Sequence, residues 1–130
     1  MPAYDSNLFN PSAPLARVIL RDLRNGNTAN EVPMLIDSGA DITLVPKTSI
    51  DKLKSEIDPS EGYELKGFDG HRSVAKSVQL DLVFLRRTFR GRFLAVDSEY
   101  GILGRDVLNH VSLLLDGPGS SWSESTTGAA

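Results

Sequence analysis

The sequence predicts an all-β domain with one or two short helices. Three observations lead there. Residues Ser77 to Leu85 alternate, with Val78, Leu80, Leu82 and Phe84 on one face and Gln79 and Asp81 on the other, the period-2 pattern of a half-buried strand. Turn chemistry recurs between apolar runs, at Asn25-Gly26-Asn27 and at Asp69-Gly70, where Asn, Asp and Gly accept the positive φ of hairpin turns. The clearest helical spacing is that of Ile50, Leu53 and Ile57, within Lys47 to Ile57.

A chain of 130 residues has the usual size of a single domain. Residues 1–13 are polar and broken by Pro2 and Pro11, so they read as a flexible N-terminal arm. The folded domain is expected over 14–117. Leu15 to Arg24, rich in Val, Ile and Leu, is the first strand, and Glu31 to Asp37 is a second that ends in a Ser-Gly turn. Ile42 to Pro46 is a third, short segment. The helix from Lys47 follows, with Thr48 or Ser49 placed to cap it and Pro59 beyond its end. Strands resume at Tyr63 to Lys66, and Gly67-Phe68-Asp69-Gly70 turns the chain. Ser77 to Leu85 then pairs with Thr88 to Val96. Gly101-Ile102-Leu103-Gly104 leads into a short helix at Arg105 to Asn109, and Val111 to Leu115 is a last strand. Residues 118–130, biased to Ser, Thr and Gly, read as a flexible tail, with Trp122 exposed in it.

Composition narrows the function. The chain is 40% hydrophobic and 24% charged, with a formal net charge of −3 and no cysteine. Generic nucleic-acid binding is disfavoured by that charge, and disulfide or thiolate chemistry has no residue to use. Apolar runs stop at four residues, as in Leu82-Val83-Phe84-Leu85, so no membrane span is expected. Residues 1–14 lack the pattern of a secretory signal, and the expected location is cytoplasmic. Arg86, Arg87, Arg90 and Arg92 crowd one stretch and read as the solvated face of a hairpin. His71 and His110 are the only histidines, which leaves a zinc site short of ligands; neither metal nor cofactor is expected.

The chemistry concentrates in Met34-Leu35-Ile36-Asp37-Ser38-Gly39-Ala40-Asp41 and the apolar residues after it. A carboxylate, a hydroxyl and a glycine between two apolar strands make a rigid turn: glycine allows close backbone approach and serine can hold the loop by hydrogen bonds. Asp37 then projects from an apolar-walled turn where its ionisation can be tuned. Alone, Asp-Ser-Gly is also an ordinary Asx-type turn. Leu35 to Asp41 nevertheless resembles the active-site signature of retropepsins, the single-domain aspartic proteases of retroviruses and their cellular relatives. Ile102-Leu103-Gly104-Arg105-Asp106-Val107-Leu108 is similar to the family's second motif, and Gly67-Phe68-Asp69-Gly70-His71 stands where the family keeps its flap. Bacterial single-domain relatives give the nearest pattern.

The resemblance implies a retropepsin-like closed β-barrel half with one or two short helices, acting as a homodimer on polypeptide substrates. With one Asp-Ser-Gly per chain, each subunit would supply one Asp37, and the pair would share a proton around a water. Ser38 would tie the two active-site loops together, and Gly39 would face substrate. Ala40 lacks the hydroxyl that some relatives carry there, which implies a mildly acidic to near-neutral optimum. Asp41 and Arg105 would form a structural ion pair, the bland alternative being two unrelated surface charges. Residues Gly67 to His71 would close over substrate, His71 as a surface residue of that flap. The main rival is a catalytically silent dimer of the same fold that binds peptides or protein partners. A small β-barrel using the arginine cluster as its contact face is another.

Overall fold

The structure is a computed structural model that describes residues 2–55, 58–66 and 72–125. Its strands are β1 (Tyr4–Asp5), β2 (Ala13–Arg21), β3 (Thr28–Ile36), β4 (Leu44–Pro46), β5 (Asp58–Lys66), β6 (Arg72–Phe84), β7 (Arg87–Val96), β8 (Gly101–Leu103), β9 (Leu113–Asp116) and β10 (Ser121–Glu124). Two short helices, α1 (Lys47–Leu53) and α2 (Arg105–Leu108), interrupt them. The all-β expectation therefore holds, with three strands more than the sequence pattern revealed, β1, β8 and β10.

Six strands close into a mixed barrel. β2 pairs antiparallel with β3, β3 parallel with β8, β8 antiparallel with β4, β4 parallel with β7 and β7 antiparallel with β6. The ring shuts where β6 returns to β2 through Ile19↔Val83, Leu20↔Leu82 and Arg21↔Asp81. A bulge in the β2–β3 ladder lies beside that return. Val18 pairs with Val32 and Leu20 with Ala29, so β3 carries one extra residue there, and Glu31 has a φ of 56°. Such a bulge bends and twists the ladder; beyond it Leu20 and Arg21 stay paired with β3 on one side while they pair with β6 on the other.

The barrel fills with the residues that alternation assigned to it. Val78, Leu80, Leu82 and Phe84 are buried, packed with Leu20, Met34, Val45 and Leu103, and Ile50 and Leu53 of α1 close one side. Asp81, expected to face outward, is nevertheless shielded from solvent. It is only 1% exposed, accepting from Arg21 Nη2 at 3.1 Å and from Arg90 Nε at 3.0 Å. The Arg90 contact, against the opposing pull of burial, holds the Asp81 carboxyl below its ordinary value. Two members of the arginine cluster thus act within the fold: Arg90 on Asp81, and Arg87 as a donor to the His110 carbonyl.

Helix α1 is shorter than the spacing of Ile50, Leu53 and Ile57 suggested. It stops at Leu53 because Lys54 turns left-handed, with a φ of 53°. Neither Thr48 nor Ser49 caps it; Pro46 occupies the N-cap without a side-chain bond. Its far end is capped from a distance, since Asn25 and Asn27 both donate their side-chain amides to Leu53 O, at 3.0 and 3.1 Å. Asp22 completes this corner by accepting from Ser55 Oγ at 2.6 Å. Burial raises the Asp22 carboxyl, but the Ser55 hydroxyl and the amides of Asn25 and Arg24 outweigh it and leave it lowered.

Both chain ends are more structured than their composition implied. Trp122 is 4% exposed, its ring lies 5.9 Å from Phe84, and its Nε1 donates to Leu15 O at 3.1 Å. The expected flexible tail therefore contains β10 up to Glu124, because one large aromatic found both an apolar bed and an acceptor. In the N-terminal arm, Tyr4 packs on the core and Phe9 meets Tyr100 edge-on at 4.7 Å.

Candidate active site

Asp37 follows β3 directly, and its position is set by the strand beside it. The parallel pairs Met34↔Gly101, Leu35↔Ile102 and Ile36↔Leu103 bring the end of β3 level with the start of α2. Gly101 lets this happen: a Cβ there would collide with the carbonyl of Leu44 and with the Met34 side chain. Beyond the strands, Asp37 N donates to Leu103 O at 3.2 Å and Ala40 N returns to Asp37 O at 3.2 Å. Gly39 N donates to Asp37 Oδ1 at 2.9 Å, which orients the carboxylate. No other hydrogen bond to that carboxylate is formed among the described residues, and Asp37 is half-buried.

The second motif clamps this loop from behind. Arg105 N donates to Ala40 O at 2.8 Å, and its guanidinium donates to Ser38 O at 2.7 Å. Gly104 sits where a Cβ would stand 2.7 Å from the backbone of Ile42, so the approach of motif and loop needs glycine. The expected Asp41–Arg105 ion pair does not form in the chain. Asp41 is exposed, and Arg105 binds the loop's backbone carbonyl instead; a neutral acceptor satisfies the guanidinium without stripping water from a second charge.

The carboxylate that does join the two motifs is Asp106, and its partner is Thr43. Thr43 is fully buried; its hydroxyl donates to Asp106 Oδ1 at 2.5 Å and accepts from Gly104 N at 3.0 Å, while its own N–H donates to Asp106 Oδ2 at 3.1 Å. Sequence reasoning missed this staple. The signal was present: a threonine between Ile42 and Leu44, in an apolar segment, must find hydrogen-bond partners once buried.

The structure thus brings together Asp37, Ser38, Gly39 and Ala40 with Ile102, Leu103, Gly104 and Arg105, residues more than sixty positions apart. Gly67, Phe68, Asp69, Gly70 and His71 lie outside the described residues; the arms that lead to them pair as the β5–β6 hairpin up to Lys66↔Arg72. Among the described residues, no cluster of His, Cys, Asp or Glu could hold a metal ion, and no helix is long and apolar enough to cross a membrane.

A carboxylate on a glycine turn, at the end of one barrel strand and braced by a second glycine motif, fits the aspartic protease class. The model of the retroviral aspartyl protease family matches residues 11–116, and the chain belongs to that family. Among solved structures, the EIAV protease complexed with the inhibitor HBY-793 is similar at 24% identity and a TM-score of 0.57, over 75% of this chain and 86% of that one. That likeness shows the fold. No curated protein matches the chain.

Proposed function

We propose that the chain is an aspartic endopeptidase that works as a homodimer, with Asp37 and the partner's Asp37 sharing one proton across a twofold axis. The observation that carries this reading is the Asp37 loop. Gly39 N orients one carboxylate oxygen, Arg105 braces the loop through Ser38 O, and among the described residues no second acid is hydrogen-bonded to that carboxylate. Two carboxylates a few ångströms apart cannot both ionise cheaply, so a symmetric pair keeps one proton. The ionised member takes a proton from a bound water as the water oxygen bonds to the peptide carbonyl carbon. The protonated member donates to the carbonyl oxygen, giving a neutral gem-diol. Proton return to the amide nitrogen then lets the C–N bond break, with no acyl-enzyme.

Polypeptides are the substrate class this chemistry serves. The braced loop supports the reading because fixed geometry is what general acid–base work requires. Activity should fall at high pH, when both carboxylates ionise, and at low pH, when both are protonated, with both steps belonging to the pair. The test is digestion of a mixed peptide library from pH 4 to 7 by the wild type and by Asp37→Asn. Cuts made by the wild type and missing from Asp37→Asn are the expected result. A folded, dimeric wild type that cuts nothing across that range would overturn it and favour the silent peptide-binding dimer.

A further inference from the structure

We propose that the open edge of β7 and the groove beside α2 form a second polypeptide-binding site, which takes an acidic segment as an added strand. β7 has 10 residues, but its neighbour β4 has 3 and pairs only with Leu94, Ala95 and Val96. From Arg87 to Phe93 the strand is paired on one side alone, with β6. That stretch spans about 20 Å at roughly 3.4 Å per residue.

The register shows which backbone groups face the open side. Leu94 N donates to Thr43 O at 3.2 Å, so Leu94 turns its backbone away from β6, and antiparallel ladders alternate. Phe93, Gly91 and Phe89 therefore bond to their β6 partners Val78, Leu80 and Leu82. The two-residue turn of Leu85 and Arg86, both at positive φ, closes on the Phe84↔Arg87 pair and agrees with this phase. Thr88 and Arg90 turn N–H and C=O to the open side, where they meet no backbone partner among the described residues.

Beside this edge lies a groove of about 510 Å³, bounded by β7, by α2 and by His110. Half-buried Phe89 lines it, its ring 6.1 Å from that of His110. The charge of the groove is one-sided. By the alternation of a strand, Arg90 and Arg92 stand on one face of β7 and Arg87 on the other, so cations flank the edge from both sides. The acids nearby are already engaged. Asp106 accepts from Thr43, and Asp81 is shared between Arg90 and Arg21, which leaves that trio positive. Arg87 uses one donor on the His110 carbonyl, and a guanidinium keeps others.

An extended segment added to this edge gains main-chain bonds to Thr88 and Arg90. Its side chains alternate between the two faces, so carboxylates on either face meet an arginine. A second copy of the chain does not fit, because pairing β7 with another β7 sets arginines against arginines. Nucleic acid meets an overall charge of −3 and makes no use of a strand edge. None of the residues lining the groove belongs to the Asp37 loop, so the site does not depend on the chemistry proposed above.

The probe is a fluorescein-labelled peptide of alternating glutamate and threonine, with its lysine–threonine counterpart as control. Fluorescence anisotropy at low salt should show saturable binding of the first peptide alone, weakening several-fold as salt shortens the reach of the charges. Thr88→Pro removes an edge N–H and leaves the β6 ladder intact; it should weaken binding on the order of 10-fold, as should Arg87→Gln combined with Arg92→Gln. Both proteins should keep the wild-type circular dichroism. In the unsubstituted protein, saturation with the peptide should slow amide hydrogen exchange at Thr88 and Arg90, a readout that needs no variant to fold. Asp37→Asn should bind the peptide like wild type. Failure of the glutamate peptide to bind overturns the proposal, as does equal binding of the lysine peptide or tighter binding of oligothymidine. Unchanged affinity in Thr88→Pro, or unchanged exchange at Thr88 and Arg90, overturns it too. Binding lost in Asp37→Asn and kept in Thr88→Pro places the peptide at Asp37, which sinks the second site and leaves the protease reading standing.

Discussion

Replacing Asp81 by Asn tests what closes the barrel. Asp81 stands where β6 touches both neighbours, opposite Arg21 on β2 and Arg90 on β7, and its two oxygens accept from both guanidinium groups. Breaking a fully buried pair costs about 3–5 kcal/mol, and an exposed pair is worth about 0–1 kcal/mol. Here the carboxylate is buried, but the side chains of Arg21 and Arg90 are 45% and 66% exposed, so both cations can return to water. The cost of Asp81→Asn at pH 7 therefore falls between the limits, at about 2 kcal/mol. For a domain of this size that lowers Tm by roughly 6–10 °C. The pH dependence gives a sharper check. The folded carboxyl is lowered from the ordinary 3.8, so its stabilisation is fully present above that unfolded value and is lost as pH falls through the folded one. Thermal unfolding of both proteins by circular dichroism should show a gap at pH 7 that narrows steadily below pH 4. An equal gap at pH 7 and pH 3, or none at pH 7, would refute the ion-pair account.

Other sites make independent demands. Thr43→Val keeps shape but removes the hydroxyl between Asp106 and Gly104 N; a lost charged hydrogen bond and an orphaned buried N–H should cost about 2–4 kcal/mol in urea unfolding, and Thr43→Ser should recover most of it. Gly101→Ala drives a methyl into the Leu44 carbonyl and Met34, so it should cost about 3 kcal/mol and lower the denaturation midpoint accordingly. Ser77 is fully buried and its hydroxyl has no hydrogen-bond partner among the described residues; Ser77→Ala should leave stability unchanged or raise it by up to about 1 kcal/mol, and a clear loss would show that the hydroxyl is bonded.

The local pattern alone determined which residues line the barrel and where the chemistry lies. Val78, Leu80, Leu82 and Phe84 alternate because one face of β6 is buried, and such a period is written in consecutive residues. Asp37-Ser38-Gly39 and Gly104-Arg105 were legible for the same reason, since a tight turn and a close approach each demand particular residues at adjacent positions. Tertiary structure decided everything that depends on residues distant in the chain. Asp81 looked like a surface residue until Arg21 and Arg90 arrived from two other strands. Trp122 looked like part of a tail until Leu15 offered a carbonyl and Phe84 a neighbouring ring. Arg105 chose the Ser38 carbonyl over Asp41, and Asp106 chose Thr43, because packing fixes which acceptor lies within reach. Periodicity records which side of an element meets the core, but it carries no record of which partner waits there, and hydrogen bonds and ion pairs act only over a few ångströms that the fold alone sets.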